Sequence, residues 1–203
     1  MGHLQQDRRQ RRTRQALRDA LLGLLRERRY EAISVQDIVE RADVARSTFY
    51  EHYLDKDDLL LGSQGVFTNP SQPTLPPDDA DTAILAPARF WFAHIAAQKP
   101  ALAAMAKDTA LKLALENLRE IIHEDIQKAV AARYPQDSPA GVPAAIIVEH
   151  LTGSLISLIA WWVAHDMAYT PEQMNDMFRR LALPGLAAII GADIAARPDD
   201  STV

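Results

Sequence analysis

Apolar residues recur at helical rather than strand spacing along the first quarter of the chain. Ala16, Leu17, Ala20, Leu21, Leu24 and Leu25 form a continuous stripe on one face of a first helix. Val35, Ile38, Val39 and Ala42 then stand at i, i+3, i+4 and i+7, predicting a short second helix that opens at Ser34. Asp37, at the N3 position, completes an acidic variant of the capping box, worth roughly 1 kcal/mol. The period breaks at a tight turn around Asp43. Beyond it Ala45 and Phe49 keep an i, i+4 apolar contact, which Tyr53 continues, while Arg46, Ser47, Thr48 and Tyr50 present hydrogen-bonding groups. Two short helices across a tight turn, the second polar outward, predict a helix-turn-helix, whose second helix lies in the DNA major groove.

The pattern stays helical further on. Asp55 and Asp58 repeat the capping arrangement and start a helix carrying Leu59, Leu60, Leu61, Val66 and Phe67, in which Gly62 and Gly65 each cost about 1 kcal/mol relative to Ala. Asn69 to Asp79, rich in Pro and polar residues, predicts a loop. A helix follows from Asp81 to Lys99, with Pro87 kinking it or marking its first turn. Pro100 opens a short helix to Lys107, and Leu111, Leu115, Leu118, Ile122, Ile126 and Val130 stripe one long helix from Asp108 to Tyr134. Ala144 to Ala168 is the most apolar helix. Its uncharged run, Leu151 to Ala164, reads as too short for a bilayer, which needs about 20 apolar residues, so the expectation is a helix buried on both sides and no membrane. Thr170, Pro171 and Gln173 form a capping box for the last helix, where Met174, Met177, Phe178 and Leu181 share a face before a kink at Pro184; the tail from Ala195 is expected to fray. With no alternating run of strand length, the fold class is all-α: an N-terminal three-helix helix-turn-helix domain over 1–54, a larger C-terminal helical domain over 55–194, and a tail over 195–203.

Charge sharpens this picture. The net charge of -5 suits DNA poorly, but residues 1–18 hold Arg8, Arg9, Arg11, Arg12, Arg14 and Arg18 against Asp7 alone. A basic arm on an acidic body fits local phosphate contact, the plain alternative being a solvated helix face. At 203 residues, 48% of them hydrophobic, the chain can bury a proper core. It has no Cys, hence no disulfide framework and no thiolate metal site, as suits a reducing cytoplasm.

The stretch YEAISVQDIVERADVARSTFYEHYLDKDDLL, from Tyr30 to Leu60, resembles the TetR family of transcriptional regulators through the combination of Thr48, Phe49, Tyr50, His52, Tyr53, Lys56 and Leu59. WWVAHDMAYTPEQMNDMFRRL, from Trp161, is similar to the last two helices of some members. The resemblance implies a DNA-binding set of Ser34, Gln36, Arg46, Ser47, Thr48, Tyr50, His52 and Lys56, with Tyr50 and His52 on the DNA backbone and Lys56 gripping a phosphate. The residue chemistry agrees, since Arg pairs bidentately with guanine O6 and N7, and Ser and Thr reach bases or phosphates. Two positions depart from the family pattern: Asp43 stands where Gly is usual, and Ala45 where a capping Ser or Thr is common. A short, uncapped reading helix suggests weak binding by one copy alone.

The resemblance further implies a homodimer through the last two helices, here Ile159, Trp162, Val163, Met174, Met177, Phe178 and Leu181, and a near-palindromic double-stranded operator. It also implies a repressor released by a small apolar or aromatic effector in a pocket whose candidate lining is Phe67, Trp91, His94, Met105, Leu115, Leu118, Ile122, Thr152 and Ile156. Plain hydrophobic core is the competing account of these residues. Arg46→Ala is expected to relax sequence preference and Lys56→Ala to weaken all sequences alike. A non-specific or architectural DNA-binding protein is the alternative, although it calls for basic charge spread along the chain. An enzyme is disfavoured: there is no HExxH, no Gly-rich phosphate loop and no nucleophile-elbow context at Ser63, and neither a cofactor nor a metal is expected.

Overall fold

The computed structural model describes residues 2–62, 84–105, 109–134 and 142–196, with side chains described from 8 to 189 of these. Among the described residues there are nine α-helices and no strand: α1 (Gly2–Leu25), α2 (Val35–Ala42), α3 (Arg46–Tyr50), α4 (Lys56–Leu61), α5 (Ala86–Ala97), α6 (Lys99–Met105), α7 (Thr109–Ala131), α8 (Ala144–Ala164) and α9 (Pro171–Ala196), with a 3₁₀ turn at Tyr30–Ala32. The chain divides into two compact units, one of Met1–Pro70 with Gln98–Asn117 and one of Ser71–Ala97 with Leu118–Val203. This division is not sequential. Whereas sequence patterning draws a boundary at 54/55, α4 and α6 both pack on α1 in the first unit.

In the first unit α1 packs on α2 and buries Leu17, Ala20, Leu21, Leu24 and Leu25, and Ile38 and Val39 of α2 and Phe49 of α3 are buried in the same unit. Tyr53, Leu59 and Leu60 complete the apolar interior. Ser34 caps α2 as its sequence predicts. Its hydroxyl oxygen accepts from the Asp37 N–H at 3.2 Å, and the Asp37 carboxylate accepts from the Ser34 N–H at 2.8 Å and the hydroxyl at 2.6 Å. These bonds from Ser34 hold the Asp37 carboxyl below its ordinary 3.8 against the opposing effect of burial, with lesser help from Arg28 at 3.0 Å. α2 ends at Asp43, left-handed at φ 52° and ψ 50°, and Val44 N–H closes back on the Val39 carbonyl at 3.1 Å. Asp tolerates that conformation better than most residues. The first turn of α3 has no side-chain cap at Ala45. Asp55 caps α4 by accepting from the Asp58 N–H at 2.8 Å, and Asp58 accepts from the Leu54 N–H at 2.8 Å.

In the second unit Phe92 of α5 meets Trp162 of α8 edge-on at 5.8 Å and Phe178 of α9 at 6.4 Å, tying three helices at one aromatic junction. Trp162 also donates from Nε1 to the Tyr169 carbonyl at 3.0 Å. Thr170 and Gln173 exchange the expected capping-box bonds at 2.9 and 3.2 Å, and Pro171 opens α9. Pro87 lies in the first turn of α5, and α9 continues through Pro184 to Ala196.

Several expectations are corrected here. The uncharged run Leu151 to Ala164 is short, but α8 as a whole is 21 residues long and, by length and composition, apolar enough to cross a bilayer. What marks it as a core element is that Ile147, Leu151, Leu155, Ile159 and Trp162 pack into its own unit, but it is buried on one side and not on both as expected, since Ser157, Trp161 and Ala164 are exposed. Ile159, Trp162, Val163, Met174 and Phe178, expected at a dimer interface, are at most 7% exposed within the single chain. They are the intrachain core, while Leu181 is 75% exposed and Met177 half-buried. Gly62 caps the end of α4 rather than sitting inside it, and a Cβ there would meet the Asp58 carbonyl at 2.6 Å. Gly62→Ala would therefore clash with that carbonyl, so the glycine is required at this position and is not merely a cost to helix propensity. Gly65, Val66, Phe67 and the Asn69–Asp79 loop lie outside the described residues, as does the tail beyond Ala196.

Phe49→Ala is expected to cost about 3–5 kcal/mol in urea unfolding, the range for deleting a buried aromatic ring. Leu54→Ala, 83% exposed, serves as the control and stays within about 0.5 kcal/mol. For the α2 cap, Ser34→Ala should cost about 1 kcal/mol. Because the folded Asp37 carboxyl is depressed, its contribution is fully present above the unfolded value and lost as pH falls through the folded one. The stability gap between wild type and Asp37→Asn should therefore be constant near neutrality and shrink below about pH 4.

Candidate nucleic-acid interface

Five residues are too few for an isolated helix to hold itself together, so α3 takes its position from packing. Phe49 points into the core, leaving Arg46, Ser47 and Tyr50 exposed and Thr48 half-buried. Phe49 supports Tyr50 edge-to-face at 5.3 Å. Tyr50 supports Arg46 in turn: the guanidinium lies 5.7 Å from the ring centroid, and Nη2 donates to the phenolic oxygen at 3.3 Å. The α3 side chain suited to bidentate contact with guanine is thus held over an aromatic platform rather than left free to rotate. His52 is half-buried, its ring 6.4 Å from the buried ring of Tyr53. Burial raises the Tyr53 hydroxyl above its usual range, opposed by the positive charges of Arg18 and Arg14.

At the start of α2, Ser34 is exposed but engaged in its cap, and Gln36 is exposed with its amide donating to Glu40 at 2.7 Å. Beside α3, a groove of about 770 Å³ is lined by Arg9, Gln10 and Thr13 of α1 and by Asp43, Val44, Ala45, Thr48, Glu51 and His52. Arg9, Gln10 and Thr13 are site residues that helix-turn-helix patterning leaves out. Their signal in sequence is the arginine cluster, but only the packing of α1 brings that cluster's first turns beside α3. Asp43 and Glu51 line the same groove and oppose an anion there, against the guanidinium of Arg9. Lys56 is different from the rest. It is half-buried, and its ammonium donates to the carbonyls of Tyr30 at 2.8 Å and Ile33 at 2.9 Å.

The effector candidates are less convergent. Trp91, Leu118, Ile122 and Thr152 are fully buried, and His94 and Ile156 half-buried, in the second unit. The buried Met105 and the half-buried Leu115 belong to the first unit, and Phe67 lies outside the described residues. The Thr152 hydroxyl is buried without a hydrogen-bond partner, and the Trp91 indole donates to the buried Asp125 carboxylate at 3.1 Å. A cleft of about 700 Å³ between α7 and α8 is lined by other residues, among them His123, Gln127, Lys128, Val130, Val148 and Glu149.

Comparison with known proteins places this architecture. The model for bacterial regulatory proteins of the tetR family matches residues 17–62, and a model for a transcriptional regulator C-terminal region matches residues 88–183. An uncharacterized HTH-type transcriptional regulator of Bacillus subtilis (strain 168), YxbF, is 46% identical over 55 residues, 27% of this chain. That match spans 14% of the relative's own length. A TetR transcriptional regulator from Streptococcus agalactiae 2603V superposes with a TM-score of 0.59 at 22% identity, covering 89% of this chain and 99% of that one. NalD of Pseudomonas aeruginosa, described as the secondary repressor of the MexAB-OprM multidrug efflux pump, gives 0.60 at 16%, covering 87% and 96%. At those identities the structural likeness speaks for the fold alone. With the tetR model on the helix-turn-helix and a regulator model on the helices that follow it, the protein belongs to the TetR family of DNA-binding transcriptional regulators.

Proposed function

We propose that the protein works as a homodimer in the cytoplasm, reading a near-palindromic operator with one α3 in each of two major grooves and repressing by occupying the site. The observation that carries this reading is the Phe49–Tyr50–Arg46 stack, which aims a preorganised guanidinium outward from a helix too short to orient itself. Arg9 of α1 supplies charge for the DNA backbone beside it, and Gln10 and Thr13 supply hydrogen-bonding groups.

A second copy fits the outward faces of α8 and α9. Gly153, Ser157, Ala160, Trp161 and Ala164 recur at i, i+4, i+7, i+8 and i+11, all exposed or half-buried. Met177, Leu181, Pro184, Gly185 and Ala188 repeat the same spacing on α9. A Cβ built on Gly153 or Gly185 meets nothing within 4 Å, so these small residues leave room for another helix. A stable dimer needs roughly 1,600 Å² or more of buried surface, and two helices of this length can supply it. Dimerisation sets the two readers about 34 Å apart, or a multiple of that. For release, a small apolar or aromatic effector would enter the second unit, where the unpartnered Thr152 hydroxyl offers a polar anchor among apolar side chains.

Selection from a random duplex library tests the reading. The expected product is a near-palindrome bound at least about 10³-fold more tightly than random duplex at fixed salt. A ratio near one would leave the non-specific alternative standing. On the selected duplex, Arg46→Ala should cost about 1–3 kcal/mol and relax preference at one position per half-site, and Tyr50→Phe should give a smaller loss at that same position. Leu181→Glu should sediment as a monomer with its helix content intact and lose operator binding. Retention of the dimer would move the interface elsewhere.

A further inference from the structure

The resemblance to the family assigns Lys56 to a phosphate, yet the geometry points to another role. An ammonium has three N–H donors. Two go to the carbonyls of Tyr30, at 2.8 Å, and Ile33, at 2.9 Å, and the nitrogen lies 4.4 Å from the centre of the Tyr30 ring. Two carbonyls and a π face hold the ammonium against this turn, so swinging it out to a phosphate would give up contacts already made.

The two carbonyls belong to a hinge point in the chain. Tyr30 begins the 3₁₀ turn, and its carbonyl also accepts from the Ile33 N–H at 3.0 Å. Ile33 immediately precedes Ser34, the N-cap of α2. The next residue of α4 grips the same turn from another side, because the Tyr30 hydroxyl donates to the Asp57 carboxylate. Tyr30 and Ile33 are themselves buried at 3% and 2% exposure. The first two residues of α4 therefore fix where α2 starts, and the left-handed turn at Asp43 carries that direction into α3.

We propose that Lys56 is a positioning residue: it holds the turn that launches α2 and so sets the angle at which α3 meets DNA, without touching DNA. The proposal rests on the reader function above. It reverses the expectation that Lys56→Ala weakens every sequence alike. A misaimed α3 loses base contacts while the arginines of α1 keep their hold on phosphates, so the loss should fall on the operator and spare random duplex.

The test is binding to the library-selected duplex and to random duplex over a series of salt concentrations, for wild type and Lys56→Met. Measurements are made at a temperature where circular dichroism shows both proteins folded. A phosphate contact is worth about 0.9 in the slope of log K against log salt. The expected result is a fall of about tenfold or more in the operator-to-random ratio with the slope unchanged, and partial recovery in Lys56→Arg, which can still donate to both carbonyls. An unchanged ratio with a slope shallower by about 0.9 would make Lys56 a phosphate ligand and overturn the proposal. An unchanged ratio and an unchanged slope would reduce it to a stabilising residue, which also overturns it. Should Lys56→Met fail to fold, Tyr30→Phe removes the neighbouring Asp57 bond without altering charge and is read by the same criteria. If wild type itself does not distinguish the two duplexes, the reader function fails first, whatever the Lys56 variants do.

Discussion

The burial of the Phe49 ring is the constraint on which the reading head depends. α3 is five residues long, has no side-chain cap, and could not persist in water on its own helical propensity. Its orientation is set from beneath, by a ring with no exposed surface packed in the interior that α1 and α2 supply. Everything outward follows from that: the edge-on support of Tyr50, and through Tyr50 the platform under Arg46. Burying one aromatic ring thus converts a marginal turn of helix into a rigid presentation of polar groups.

The surroundings limit the remaining freedom. A reciprocal cap fixes the first turn of α2, a left-handed aspartate fixes its last, and two residues of α4 hold the turn ahead of it. Each device acts on backbone direction. Electrostatics is uneven in the same way: an acidic chain clusters six arginines on α1, the first turns of which lie beside α3. Such a distribution favours phosphate contact at one place and discourages adhesion elsewhere.

Local signals were the most legible in sequence. The Ser34–Asp37 and Thr170–Gln173 caps, the left-handed Asp43 and the missing cap at Ala45 are each encoded within a few residues, and the structure has all of them. Face assignment was harder. Periodicity identifies the most apolar side of a helix, and on α8 and α9 that side, with Ile159, Trp162 and Phe178, is the intrachain core. The exposed stripe is built from Gly, Ser and Ala around Trp161 and Leu181, a composition with little hydrophobic signal. Lys56 was opaque for a related reason: its partners are backbone carbonyls 26 and 23 residues earlier, and backbone atoms carry no mark in a sequence. Arg9, Gln10 and Thr13 needed the packing of α1 before they could be placed beside α3.

The central claim is that paired α3 helices read base edges in the major groove. Methylation interference at guanine N7 on the selected operator addresses it most directly, since N7 is one of the two atoms a bidentate guanidinium grips. The expected pattern is loss of binding on methylation of a guanine in each half-site, the two positions lying one duplex turn or a whole multiple of it apart, with the signal gone in Arg46→Ala. Interference at no major-groove guanine, on an operator that contains guanines in both half-sites, would contradict the account.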